Sequence, residues 1–201
     1  MTPFDSQSGA IAETARLRLR RFDGSDAAFA LELVNEPSWI RFIGKRDVGN
    51  LDDARRYLEK GPIAMYARHG FGLWCVALRS TGAAIGMCGL IKRDTLPDVD
   101  LGFAFLPRYW GNGYALEAAE ATMAYARETL GLTRIVAILS QDNERSARLL
   151  VKLGFLPEGT IRMPGVARMP AVTLRTNRVR FSIDPPYLPA RVRALSSSWP
   201  R

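Results

Sequence analysis

Apolar and basic residues alternate over residues 14–22, with Leu17 and Leu19 set between arginines. That period of two predicts a half-buried strand. The capping residues Asp23, Ser25 and Asp26 come next. Ala27, Ala30, Leu31 and Val34 then recur at helical spacing as far as Pro37, which predicts a helix that stops there. A second helical region starts near Asp52 and Asp53 and runs, interrupted at Gly61 and Pro62, to Arg68. Two strand-like runs, 71–79 and 83–92, flank a Ser-Thr-Gly turn and predict a hairpin. In the next strand, 98–106, Val99, Leu101, Phe103 and Phe105 share one face, and Asp98 and Asp100 the other.

Residues 114–130 carry the clearest helical period. Ala115, Ala118, Ala119, Thr122, Met123, Ala126 and Leu130 form one face, whose small alanines suit close packing on a sheet. Gly131 ends this helix, and residues 133–140 read as a buried strand. Asp142 or Asn143 caps a short helix through Leu153, and Gly154 stops it. Strands over 155–161 and 172–183 complete the pattern. The fold class is α/β (α+β): a single domain with a central, mostly antiparallel mixed sheet, flanking helices and one parallel crossover through 114–130. The chain divides into an N-terminal flexible segment, 1–13, a domain over 14–183, and a Pro/Ser-rich basic tail, 184–201.

At 201 residues one sizeable core is expected, and 47% apolar with 24% charged residues is ordinary for a globular protein. No apolar run approaches the roughly 20 residues of a membrane span. The N-terminus lacks the basic-then-apolar layout of a signal peptide, so a cytoplasmic location with no membrane partner is expected. The net charge of +8 favours anionic partners. Part of that excess lies in Arg162, Arg168, Arg175, Arg178, Arg180, Arg191, Arg193 and Arg201. A solvated basic surface is the plainer reading, because no nucleic-acid recognition motif accompanies the charge. If the turn at residues 80–83 closes the hairpin symmetrically, Cys75 and Cys88 fall opposite each other; two reduced apolar residues are expected rather than a disulfide. His69 is the only histidine, and no spacing supports a triad or a metal site around it.

The chemistry concentrates between the strand at 98–106 and the helix at 114–130, in Arg108-Tyr-Trp-Gly111-Asn-Gly113-Tyr-Ala-Leu-Glu117. Glycines there allow close backbone approach to a ligand. The helix start behind them adds unpaired N–H donors and the positive end of a dipole, a site suited to pyrophosphate. A dinucleotide fingerprint would need a third glycine where Leu116 stands, and a P-loop would need Gly-Lys-Ser/Thr.

This chain resembles the Gcn5-related N-acetyltransferase superfamily (GNAT), and within it the ribosomal-protein N-terminal acetyltransferase (RimJ/RimL-like) branch. The resemblance rests on Arg108-x-x-Gly111-x-Gly113, on Trp110-Gly-Asn-Gly-Tyr-Ala-Leu-Glu117, on Asn143-x-x-Ser146 followed by Lys152-Leu-Gly154-Phe155, and on the opening Arg16-Leu-Arg-Leu-Arg20. It spans about residues 14–181. It implies a sheet splayed at the coenzyme site, acetyl-CoA as cosubstrate, no metal, and transfer of an acetyl group to a primary amine by direct attack in a ternary complex. The acceptor is a peptide N-terminus or a small molecule such as an aminoglycoside or polyamine. The alternative is a catalytically weak coenzyme-binding regulatory or interaction protein. A homodimer, with the tail packed on a second subunit, is left open.

The resemblance also assigns roles. Arg108, Gly111, Asn112, Gly113, Tyr114 and Ala115 offer backbone amides to the pyrophosphate. Phe103, Ala104, Phe105 and Leu106 form the stretch where the strand opens and supplies an oxyanion donor. Asn143 and Ser146 face the pantetheine arm. By charge alone, Arg145, Arg148 and Lys152 are candidates for the 3′-phosphate; Arg148 and Lys152 share a helix face, and Arg145 is offset. The acceptor amine must lose a proton, the thioester oxygen needs an N–H donor, and the leaving thiolate benefits from an acid. Asp100 is the first candidate base, against a reading as a strand-edge salt-bridge carboxylate. Glu117 is a weaker one, against a role at the helix N-terminus. Ser146 is the candidate acid, against first-turn capping. Much of the superfamily carries a tyrosine acid at the position where this chain has Leu150. Trp39, Phe42, Trp74 and Tyr109 are candidates for the acceptor side, against ordinary core packing.

Overall fold

The structure is a computed structural model that describes residues 9–161 and 171–176. Eight strands, β1 (Ala10–Glu13), β2 (Leu17–Arg20), β3 (Leu73–Leu78), β4 (Ala84–Lys92), β5 (Val99–Phe105), β6 (Ile135–Ser140), β7 (Phe155–Ile161) and β8 (Ala171–Thr176), form one sheet in the order β1-β2-β3-β4-β5-β6-β8-β7. Every neighbouring pair is antiparallel except β5 with β6, which the helix between them makes parallel.

Six helices flank the sheet: α1 (Ala27–Asn35), α2 (Pro37–Phe42), α3 (Leu51–Leu58), α4 (Ala64–His69), α5 (Tyr114–Glu128) and α6 (Glu144–Lys152). Alternation along the strands divides the core in two. Trp74, Val76, Leu101 and Phe105 meet Ala118, Ala119, Met123 and Ala126 of α5 in one cluster. Cys75 and Met87 meet Ala30, Leu33 and Leu58 of α1 and α3 in the other.

Three expectations need correction. The segment 1–13 was expected to be flexible, yet Ala10–Glu13 pairs with β2, and Arg18 forms an ion pair with Glu13 at 2.6 Å. Pro37 does end α1, but it also starts α2, because proline fits a first helical position that needs no N–H donor. The two cysteines do not face each other. A register shift between Val76 and Ala77 sets Trp74 opposite Cys88 and Cys75 opposite Met87. A one-residue slip reverses the face, so the free thiols lie in different clusters. Between α3 and α4 the chain takes one wide π-type turn over Glu59–Ile63, which accommodates Pro62.

Residues 162–170, the expected continuation of the last strand to 183, and the 184–201 tail, with most of the arginines in the last third, lie outside the described residues.

Candidate active site

β5 pairs with β4 along its whole length, from Lys92–Val99 to Gly86–Phe105, but with β6 only at Val99–Ile135 and Asp100–Val136. Beyond Asp100 the two strands part, as the splayed-sheet expectation requires. The Leu106 N–H donates to the Ile85 carbonyl at 3.0 Å. In an antiparallel ladder successive residues point their polar groups to opposite sides. Ala104 therefore also faces β4, whereas the N–H groups of Phe103 and Phe105 face the gap. Within 103–106, Ala104 and Leu106 therefore direct their amides into the sheet, and Phe103 and Phe105 direct theirs into the gap. The Trp110 indole N–H closes the wide end by donating to the Phe105 carbonyl at 2.7 Å.

After β5, a 3-10 turn over Pro107–Tyr109 leads into Gly111 at φ +84° and Gly113 at φ +79°. Both lie in the left-handed region that a side chain makes costly. Gly113 is the N-cap of α5 and has no side chain to satisfy the first turn. The amides of Tyr114 and Ala115 therefore sit in a first turn with unpaired donors, as an anion site requires. The Asn112 side chain braces the loop by donating to the Tyr109 and Trp110 carbonyls, each at 3.3 Å. The Arg108 guanidinium points away from the loop and grips both carboxylate oxygens of Glu32 on α1.

Across the gap, the Asn143 carboxamide oxygen accepts the Ser146 N–H at 3.1 Å and caps α6. The capping reading of Asn143 is thus observed, and Ser146 stands partly buried in the first turn. Of the basic residues on α6, the structure brings Arg145 to the loop, with its guanidinium carbon 4.4 Å from the centre of the Trp110 ring. Arg148 pairs with Glu144 at 3.4 Å, and Lys152 lies at the far end of α6, roughly 13 Å along the axis from Asn143. On the other side, Arg41 of α2 donates to Asp142 at 2.9 and 3.2 Å, tying α2 to the corner between β6 and α6. Nothing in the spacing of Arg41 and Asp142 signals that contact; it depends on tertiary placement.

Asp100 is 2% exposed. The Arg93 Nε donates to both of its oxygens at 3.1 Å. Burial pushes the Asp100 carboxyl above the usual aspartate range, with the Arg93 charge opposing. The salt-bridge reading of Asp100 is therefore observed, although in the interior rather than at an edge. Glu117 is tied to the corner between β1 and β2. Its carboxylate accepts from Thr14 Oγ1 at 2.5 Å, from the Arg16 N–H at 3.1 Å and from Arg16 Nε at 2.7 Å. Partial burial opposes its ionisation, but these donors prevail and hold it below the usual glutamate range, so it is a poor proton acceptor. Trp39 and Trp74 are core residues, 4% and 0% exposed, and do not line an acceptor surface. Phe42 and Tyr109 are partly exposed beneath Arg41 and Arg108. A separate cavity of about 440 Å³, lined by Arg46, Asp53, Arg56, Tyr57 and Lys60, shares no residue with the gap.

An acetyltransferase (GNAT) domain model matches residues 16–156. The chain belongs to the GNAT family. The uncharacterized N-acetyltransferase YoaA of Bacillus subtilis is 30% identical over 153 residues, covering 76% of this chain and 86% of that protein. The crystal structure of a GNAT-family acetyltransferase from Bacillus anthracis is 25% identical, with a TM-score of 0.68, over 81% of this chain and 95% of that one. A ribosomal L7/L12 alpha-N-protein acetyltransferase in complex with coenzyme A shares the fold at a TM-score of 0.69 and 16% identity, over 83% of this chain and 96% of that one.

This GNAT protein is an N-acetyltransferase, and membership of that family supports acetyl-CoA as cosubstrate. Leu150, at the position where the resemblance leads one to expect a tyrosine acid, is 1% exposed in the core. Among the described residues no group of three or more His, Cys, Asp or Glu could hold a metal ion, and no helix is long and apolar enough to cross a membrane.

Proposed function

We propose that this protein transfers the acetyl group of acetyl-CoA directly to a primary amine, with a protein N-terminus as acceptor. The observation that carries the reading is the opening between β5 and β6, lined by the Phe103 and Phe105 amides and ending at the Gly111–Gly113 loop. The pyrophosphate lies on the first turn of α5, and the pantetheine arm runs back along β5 as an added strand would. The amine nitrogen attacks the thioester carbon, and the oxygen gathers charge against a β5 N–H. The carbon–sulfur bond then breaks and the thiolate leaves. Asp100, roughly 10 Å along β5 from Phe103, receives the amine proton through water. With Leu150 in the core, the thiolate takes its proton from solvent or is assisted by the Ser146 hydroxyl. The fold shared with a ribosomal-protein N-terminal acetyltransferase supports a peptide acceptor.

The test is a panel of peptide N-termini, polyamines and aminoglycosides offered with acetyl-CoA, read by release of free thiol. Turnover of a peptide N-terminus is expected. Turnover of polyamines or aminoglycosides alone overturns the acceptor.

A second reading is a coenzyme-binding protein without turnover. It is favoured by the buried Leu150 and by the engagement of both Asp100 oxygens with Arg93. Coenzyme binding with no thiol release across the whole panel would establish it.

A further inference from the structure

We infer that Arg16, at the corner between β1 and β2, is a positioning residue that aims the Gly113 amide at the pyrophosphate. This rests on the reading of the Gly111–Gly113 loop as the coenzyme site.

Three groups converge on one guanidinium. Arg16 Nη1 donates to the Asn112 carbonyl at 2.9 Å. Nε and Nη2 hold Glu117 Oε2 at 2.7 and 2.6 Å. The guanidinium carbon lies 4.7 Å from the centre of the Tyr114 ring. The corner itself is fixed from its other side. Arg79 donates its N–H to the Arg16 carbonyl at 2.9 Å and Nη1 to the Thr14 carbonyl at 2.7 Å. Arg16 is thus a rigid post rather than a loose surface cation.

The consequence follows from peptide geometry. In a trans peptide the C=O and the following N–H point in opposite directions. With the Asn112 carbonyl turned out to Arg16, the Gly113 N–H of the same plane turns the other way, toward the anion side of the loop. Glycine is the residue least able to hold that plane by itself, since both signs of φ are open to it. A flip of the 112–113 plane would put a carbonyl oxygen where the phosphate needs a donor. The Arg16 fork makes the flip unfavourable by holding the carbonyl while Glu117 holds the fork.

The experiment measures coenzyme A and dephospho-coenzyme A binding by isothermal titration for the wild type, Arg16→Gln and Arg16→Lys, with circular dichroism as the folding check. Arg16→Gln is expected to weaken both ligands alike, by about tenfold. A lost loop donor acts on the pyrophosphate that both carry. Arg16→Lys is expected to recover only part of the loss, since an ammonium keeps the charge but not the fork. Unchanged affinity in Arg16→Gln, or full recovery in Arg16→Lys, overturns the inference. If Arg16→Gln does not fold, Arg16→Lys decides alone: a partial loss supports the inference and wild-type affinity overturns it. A wild type that binds neither ligand would instead reject the coenzyme site itself.

Discussion

Arg93 embraces the buried carboxylate of Asp100, its Nε within 3.1 Å of both oxygens. If Asp100 is the base, as proposed, two opposed influences set its proton affinity. Burial, the larger, raises the proton affinity of Asp100, and the guanidinium lowers it. The acidic limb of the kcat profile should therefore lie above the ordinary aspartate range, with activity falling as pH drops through it. Arg93→Ala removes the lowering influence and should move the limb to higher pH. Asp100→Asn should reduce kcat by roughly 10²–10⁴-fold with little change in KM for acetyl-CoA. Loss of melting temperature with kcat intact would place Asp100 in a structural role alone.

Gly111 tests the loop by strain rather than by collision. A Cβ there would meet no atom within 4 Å, yet φ is +84°. Gly111→Val must either strain the backbone or leave the left-handed region, at a cost of about 1–3 kcal/mol. Coenzyme A affinity measured by titration should fall on the order of tenfold or more, and the core should stay folded.

Glu117 gives a pH-dependent stability. Its carboxyl is held below the unfolded value, so its contribution is present above the unfolded range and disappears as pH falls through the lower folded value. Glu117→Gln should cost about 1–3 kcal/mol in urea unfolding at pH 7. Near pH 3 the two proteins should approach equal stability. A constant difference between them across that range would show that the tie does not depend on charge.

Burial pushes the thiols of Cys75 and Cys88 up to about 12, and Cys88 Sγ also contacts Thr122 Oγ1 at 3.3 Å. A thiol-reactive disulfide reagent at pH 8 should leave the native protein untouched for as long as it stays folded. Both cysteines should react on unfolding, and a reductant should not shift the melting temperature. Rapid labelling of the native protein would contradict the packing of β3 on β4.

The sequence showed the fold where the period was long and the cluster was local. Helix α5, the β3–β4 hairpin and the Gly111–Gly113 loop each declare themselves within one stretch of chain. Strand β1 did not, because four half-exposed residues carry no period. The register of Cys75 against Cys88 did not either, since one extra residue beside Val76 reverses every side chain beyond it. The site divides the same way. Glycines at positive φ are legible because few other residues suit the conformation. The pairings Arg16–Glu117, Arg41–Asp142 and Arg145–Trp110 join charges or rings that any surface could display, and only the folded chain selects them.

The parting of β5 from β6 also bears on how the molecule coheres. A sheet normally leaves its unanswered donors and acceptors at its outer rims, where charge or a covering loop keeps foreign strands away. Here an unanswered row lies at the centre, flanked by five strands on one side and three on the other. The two halves share only two rungs, and one buried cluster that takes in Trp74 and Leu101 on one side and Ile135 and Ala137 on the other holds them together across the opening; a cosubstrate bound as proposed would add rungs to a seam that packing already keeps closed.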